Sequence, residues 1–414
     1  MKQLKLLSML CLFGVTAGCS ALLGLDFEKP VEVDVDGGQR PDASDAANAD
    51  GGARNPAPIA AISMGGDHNC ALTRAGAIWC WGSNVYGQLG RGAGDGNGSA
   101  PQQVLGLGTN GVGIMLGSNR SCASKADNSV WCWGDNIDGV LLPAVSKEAI
   151  VQPTAATDIK QAPKSMVIGN SVICALYADN SVWCWGRGKG LGLGDGNASG
   201  VSKPTQVSGM TSVSALRGNE SGTVCALKSD RTLWCWGDSS SGQAGIDTFA
   251  DVSSPRRITG LSDVIEFDVG GTHACAVKSD NTVWCWGSNK DGRLGRGDSS
   301  TQIFTTPQRV VDVTLANTVR ADDDASCALR SDGTVWCWGA NPSSTLATTD
   351  TLPAVLRPSQ VPGLNNVEQL EMRDERRCAC RADDKLLCWG KNDIGVANGQ
   401  TQLSVPAVVT GIVQ

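Results

Sequence analysis

The chain has 414 residues, 41% of them hydrophobic and 18% charged, with 52 glycines and 17 cysteines. Thirty-four basic residues against 41 acidic ones leave a net charge of −7, which gives no general attraction to phosphate backbones and excludes nucleic acid as the main partner. Seventeen cysteines argue against a reducing cytosol, and the abundance of Gly, Ser, Thr, Val and Asp suits many short strands and turns.

The first element, "MKQLKLLSMLCLFGVTAGCS", starts with Lys2 and Lys5 and continues in an apolar run over residues 6–15. That run is too short to span a bilayer, which needs about 20 helical residues. Small residues then lead to Cys19, so residues 1–18 read as an export signal and not as a structural helix. The ending "TAGC" resembles the lipobox of bacterial lipoproteins, with Thr16 where that pattern prefers Leu. The resemblance implies cleavage before Cys19 and lipid on its sulfur, and Ser20 is compatible with outer-membrane sorting. The membrane is then met only through the N-terminal lipid. Residues 19–57 are rich in Asp, Gly, Ala and Pro and read as a flexible acidic linker. The "DVDGG" within them lacks the downstream Glu and the regular spacing of a calcium loop.

From residue 58 to 414 the chain repeats itself. A first cysteine falls at 70, 122, 174, 225, 275, 327 and 378, and a second follows ten residues later each time. A period near fifty residues signals a propeller, a solenoid or an array. In "DVGGTHACAVKSDNTVWCWGSNKDGRLGRGD" (268–298) an apolar strand ends in glycines. A strand "CAV", a turn, a strand "VWCWG", a Gly-rich loop and a further strand follow, four strands per unit. Side chains alternate along a strand, so each cysteine pair faces across one hairpin. Seven local disulfides are expected: Cys70–Cys80, Cys122–Cys132, Cys174–Cys184, Cys225–Cys235, Cys275–Cys285, Cys327–Cys337 and Cys378–Cys388. Structural zinc wants closer cysteine pairs, so no metal is expected. All 13 tryptophans lie in the same motif and read as packing. Cys380 takes the place of Leu72, faces the same way as Cys378 and is expected to be a buried free thiol, with a Cys380–Cys388 bridge as the alternative.

"GGTHACAVKSDNTVWCWGSNKDGRLGRGD" and "GGDHNCALTRAGAIWCWGSNVYGQLGRG" resemble the regulator of chromosome condensation repeats. The resemblance covers residues 58–414 and implies an all-β, seven-bladed β-propeller of four-stranded antiparallel blades. The paired cysteines look like an exported bacterial branch of that family. The loop element "GQLG" is intact at 87–90, altered at 242–245 and 292–295, and lost near 139 and 343. The last segment, "VPAVVTGIVQ", matches pieces that elsewhere precede a first strand. The C-terminal strand, about 405–409, is therefore expected to close the ring by pairing into the blade of Cys70.

No catalytic constellation is visible in the sequence. His68 and His273 occupy the same repeat position, which favours structural hydrogen bonding. "GRGKGLGLGDG" (186–196) lacks the Lys-Ser/Thr of a P-loop and aligns with turn glycines. Two charged clusters are candidate binding residues: Asp322, Asp323 and Asp324 before Cys327, and Arg373, Arg376 and Arg377 one unit later. The expected function is that of a non-enzymatic cell-envelope lipoprotein, without cofactor, whose rigid ring binds an envelope or extracellular protein through its loops. The chain is expected to be a monomer, in the outer membrane, periplasmic or surface-exposed. A polysaccharide-binding or -cleaving propeller is the alternative. Guanine nucleotide exchange, suggested by the family name, fits export poorly.

Overall fold

The computed structural model describes residues 58–412 apart from 93–95, 137–138, 144, 146, 160, 188–192, 194–200 and 393–401. The signal, Cys19, the linker with "DVDGG" and most of the 186–196 glycine loop lie outside the described residues.

Seven four-stranded antiparallel sheets follow one another along the chain, each in simple sequence order. Blade one contains Ile59–Met64, His68–Thr73, Ile78–Gly82 and Gly98–Gln103. Blade seven contains Val367–Arg373, Arg376–Arg381, Leu386–Lys391 and Gln402–Val408. The first strands of neighbouring blades touch all the way round, including blade seven against blade one, so they line the axis of a closed ring.

The hairpin register explains the cysteine spacing. Cys225 lies directly opposite Cys235, as does each first cysteine opposite its second. All seven expected bridges form, with Cα atoms 4.1–4.2 Å apart. Cys388 bonds Cys378, so the alternative bridge to Cys380 is not adopted, and the buried Cys380 is itself disulfide-bonded and not the free thiol expected.

In blades one to six the two tryptophans of the motif have different tasks, and blade seven keeps only the second. The second is fully buried in every blade. In blades two, three, five and six its indole N–H reaches back to the preceding blade: Trp133 donates to Gln88 O (2.8 Å), Trp185 to Val140 O (3.1 Å), Trp286 to Gln243 O (2.9 Å) and Trp338 to Arg293 O (2.9 Å). The first tryptophan is half-buried at the hairpin end. In blade four, Trp234 donates to Thr232 Oγ1 (3.0 Å), which donates to Asp230 Oδ1 (2.6 Å), and Lys228 lies over the ring. The same relay recurs at Trp131, Trp183, Trp284 and Trp336. The glycine that closes "WCWG" has positive φ in all seven blades, and a Cβ on Gly287 or Gly339 would lie 2.6 Å from a backbone oxygen.

The outer strand carries a feature the sequence reading passed over. Between Cys235↔Arg256 and Gly237↔Val252 the third strand advances two residues while the outer strand advances four. Every blade repeats this bulge. Pro101, Pro153, Pro204, Pro255, Pro307, Pro358 and Pro406 sit inside it. Proline has no N–H to donate, so it is tolerated on an outermost strand, and the bulge blunts an otherwise pairable edge.

Two expectations change. The C-terminal strand, Gln402–Val408, pairs with the third strand of blade seven and not with blade one. Ring closure is by packing instead, with Val409 and Ile412 in one apolar cluster with Ile59, Ile62 and Trp81 of blade one. The proline-bearing strand belongs with the "WCWG" strand before it because their bulged register matches, which makes every blade contiguous in sequence. The loop element also survives where its glycines are lost. Asn84, Asn136, Asn289 and Asn341, each four residues after a second cysteine, are buried and accept a backbone N–H from across the loop through Oδ1. In blade six, Ser344 and Ala347 adopt the positive φ that Gly87 and Gly90 adopt in blade one.

Candidate interaction face

The loops joining first to second strands, and those joining third to fourth, emerge on the same end of the ring. At four of the seven positions two before a first cysteine, those of His68, Arg120, His273 and Arg376, the side chain clamps neighbouring blades together. His68 Nε2 lies 2.7 Å from Ser121 Oγ of blade two, and His273 Nε2 lies 2.7 Å from Ser326 Oγ of blade six. Both serines donate onward, to Gln88 O and Arg293 O, so each histidine must donate through Nε2–H. Burial holds both imidazoles neutral, lowering their pKa to about 3, with Arg376 adding to the effect at His68 and Arg293 at His273. Arg120 makes the same clamp with two contacts, donating to Gly169 O (2.6 Å) and Asn170 O (2.8 Å) of blade three.

The charged clusters divide in the same way. Asp322 and Arg377 are buried and paired at 3.1 Å, joining blades six and seven. Asp322 Oδ1 also accepts the N–H groups of Asp324 and Ala325. Arg376 is buried and donates to Gly65 O of blade one at 2.7 Å. Asp324 pairs with Arg293 at 2.8 Å. Four of the six candidate residues thus make contacts that hold the ring together. Arg373 and Asp323 face the channel mouth.

They have company that the sequence reading did not single out. Arg373 Nη1 lies 3.4 Å from Glu220 Oε1 of blade four, across the ring. Asp374, in the turn beside Arg373, joins them. Its pKa is raised to about 7, first by burial and then by the Glu220 carboxylate, against the lowering pull of Arg373 and Arg376. Asp323 is raised by burial, then by Asp322, Glu220 and Asp324. Glu220 was visible only as an acid in another pre-cysteine loop. Closing the ring is what sets blade four opposite blade seven.

Along the wall below, charges alternate between blades. Arg320 Nη1 meets Glu266 at 2.8 Å, its other nitrogens meet both oxygens of Glu371 at 3.2 Å, and Arg217 reaches Glu266 at 3.5 Å. The negative partners hold the Arg320 pKa above its ordinary value although burial opposes them. Among the described residues, no three His, Cys, Asp or Glu side chains converge as a metal site.

Seven contiguous blades, each stapled by a hairpin disulfide, around a channel whose mouth is lined by charged loops, define a ring scaffold of the β-propeller class. Two models of the Regulator of chromosome condensation (RCC1) repeat match this chain, one at residues 59–88, 114–139, 264–293 and 323–344, the other at 75–123, 231–277 and 280–321. The chain belongs to that repeat family. It is 26% identical over 341 residues to the Ultraviolet-B receptor UVR8 of Arabidopsis thaliana, covering 79% of this chain and 76% of that one. It is 27% identical over 285 residues to the human E3 ubiquitin-protein ligase HERC2, covering 66% of this chain and only 6% of HERC2. The crystal structure of Prp20p from Saccharomyces cerevisiae superposes with a TM-score of 0.72 at 18% identity, covering 82% of this chain and 87% of that one. At that identity the likeness concerns the fold alone.

Proposed function

We propose that the chain is an exported cell-envelope lipoprotein, anchored through Cys19, whose propeller is a non-enzymatic ring for binding a protein partner. The observation that carries the binding reading is the mouth of the channel. There Glu220, Asp323, Arg373 and Asp374 stand on rigid blades, while the neighbouring polar groups are committed to holding blades together. One disulfide in each of seven blades supports export, since such bridges persist in oxidising compartments. The Prp20p structure is described together with that protein's binding to Gsp1p and histones, and a related structure shows Kap60 bound to it. A propeller of this family acting as a protein-binding surface is therefore in keeping with its fold.

The test is capture from intact cells. The chain is expressed with its own leader and a C-terminal tag, cross-linked, and purified from the membrane fraction under non-reducing conditions. One dominant envelope protein is expected, together with a fatty-acyl label that Cys19→Ser removes. Recovery of saccharide fragments without a protein would overturn the reading in favour of a wall-binding propeller. A chain that takes no acyl label would remove the anchor.

A further inference from the structure

The Glu220–Arg373 pair joins residues three blades apart. Glu220 belongs to the first loop of blade four, and Arg373 ends the first strand of blade seven. In a ring of seven, those blades stand on opposite sides of the axis, so a contact of 3.4 Å is a bar across the mouth. Arg373 pairs with Arg376 across a two-residue turn made by Asp374 and Glu375. Both turn residues have positive φ, +48° and +61°, which acidic residues adopt at a cost. The turn therefore sets Asp374 next to Arg373 in the chain, its carboxyl against Gly66 of blade one and within electrostatic reach of the guanidinium that makes the bar.

We propose that this bar is a proton-operated latch on the channel mouth. With a proton on Asp374, the Arg373 guanidinium stays on Glu220 and bridges the axis. With Asp374 ionised, the guanidinium is drawn back onto its own turn, Glu220 and Asp323 repel the new charge, and the mouth opens.

The charged groups facing Asp374 are Glu220 from blade four, Asp323 from blade six, and Arg373 and Arg376 from its own blade. Arg376 is buried and committed to the Gly65 carbonyl. Asp322 and Asp324 are committed to Arg377 and Arg293. His68 of blade one, near Arg376 and Arg373, is neutral throughout the relevant range. Three carboxyl groups thus share the Arg373 guanidinium, and like charges in one site cannot all ionise without cost. Burial and Glu220 place the Asp374 transition near neutrality, at about 7, so small changes in ambient pH operate the latch. The inference rests on the geometry of the mouth and not on partner binding, and its failure would leave that reading standing.

The experiment uses the full, oxidised chain with 13C-labelled aspartate and 15N-labelled arginine, followed by NMR from about pH 5 to about pH 9. Asp374 is expected to titrate near neutrality, with the Arg373 side-chain signal moving at the same midpoint. Asp374→Asn should leave the Arg373 signal independent of pH. Glu220→Gln should weaken proton binding at Asp374 about tenfold by removing a like charge, and Arg373→Gln should strengthen it. An Arg373 signal indifferent to pH while Asp374 titrates would overturn the latch, as would an Asp374 already ionised at about pH 5.

Discussion

Asp374 shows how a single side chain can set a pH dependence. Its carboxyl titrates near 3.8 when unperturbed and at about 7 in the fold. Below the lower value both folded and unfolded chains carry the proton. Between the two values only the folded chain does, so its stability falls as pH rises through that window and levels off above about 7. Asp374→Asn should therefore stabilise the protein by roughly 2 kcal/mol at about pH 8, after allowance for solvent screening, and by little near pH 4. Thermal unfolding across that range checks the slope, and parallel curves for the two proteins would refute it. Ala347 offers a second residue-scale test. It is buried, has φ +56°, and stands where Gly90, Gly245 and Gly295 touch the tryptophan of the next blade. In blade seven that tryptophan, Trp389, has a buried indole N–H with no partner among the described residues. Ala347→Gly should stabilise the fold by about 1 kcal/mol, measured by denaturant unfolding. At this scale the sequence was a good guide to the cysteines and the histidines, because each recurs at a fixed repeat position. It was a poor guide to Glu220, whose significance comes from a neighbour 153 residues away.

Among the elements, the second hairpin of each blade is specified most completely. Opposed cysteines set its register, and the Asp–Ser/Thr–Trp relay sets its turn in blades two to six. Hydrogen bonds from Thr232 hold the exposed Asp230 below the usual carboxylate range, and Asp127, Asp179, Asp280 and Asp332 behave alike. Blade one departs from the pattern: Ala75 and Ala77 stand where Asp and Ser/Thr stand in blades two to six, and the Trp79 indole N–H is buried without a partner among the described residues. Installing the relay with Ala75→Asp and Ala77→Thr should raise stability by about 1 kcal/mol. A loss of stability in urea unfolding would show that this turn cannot accept it. The outer strand was the hardest element to read. Its seven prolines recur as regularly as the tryptophans, but sequence alone does not say which neighbour a bulged strand joins. Placing the last such strand in blade one followed from taking it as the start of a unit.

At the scale of the whole ring, cohesion depends on seams between blades. The six–seven seam contains a buried ion pair, Asp322–Arg377, with burial pushing the Arg377 pKa down against the pull of Asp322. Arg377→Leu leaves a buried carboxylate uncompensated and should cost about 3–5 kcal/mol, much of it recovered by adding Asp322→Asn. Equal losses in the single and double variants would mean that the seam does not depend on charge balance. The charged clusters were legible as neighbours in sequence, but their division between seam and mouth required the closed ring. The claim that the mouth is the binding face is tested most directly by site-specific photo-cross-linking in living cells. A photoreactive residue is placed at Asp323, on the mouth, or at Asp230, on the opposite end. A cross-linked protein partner from position 323 and none from position 230 is the predicted result. Cross-links from position 230 alone, or from neither position, would contradict it.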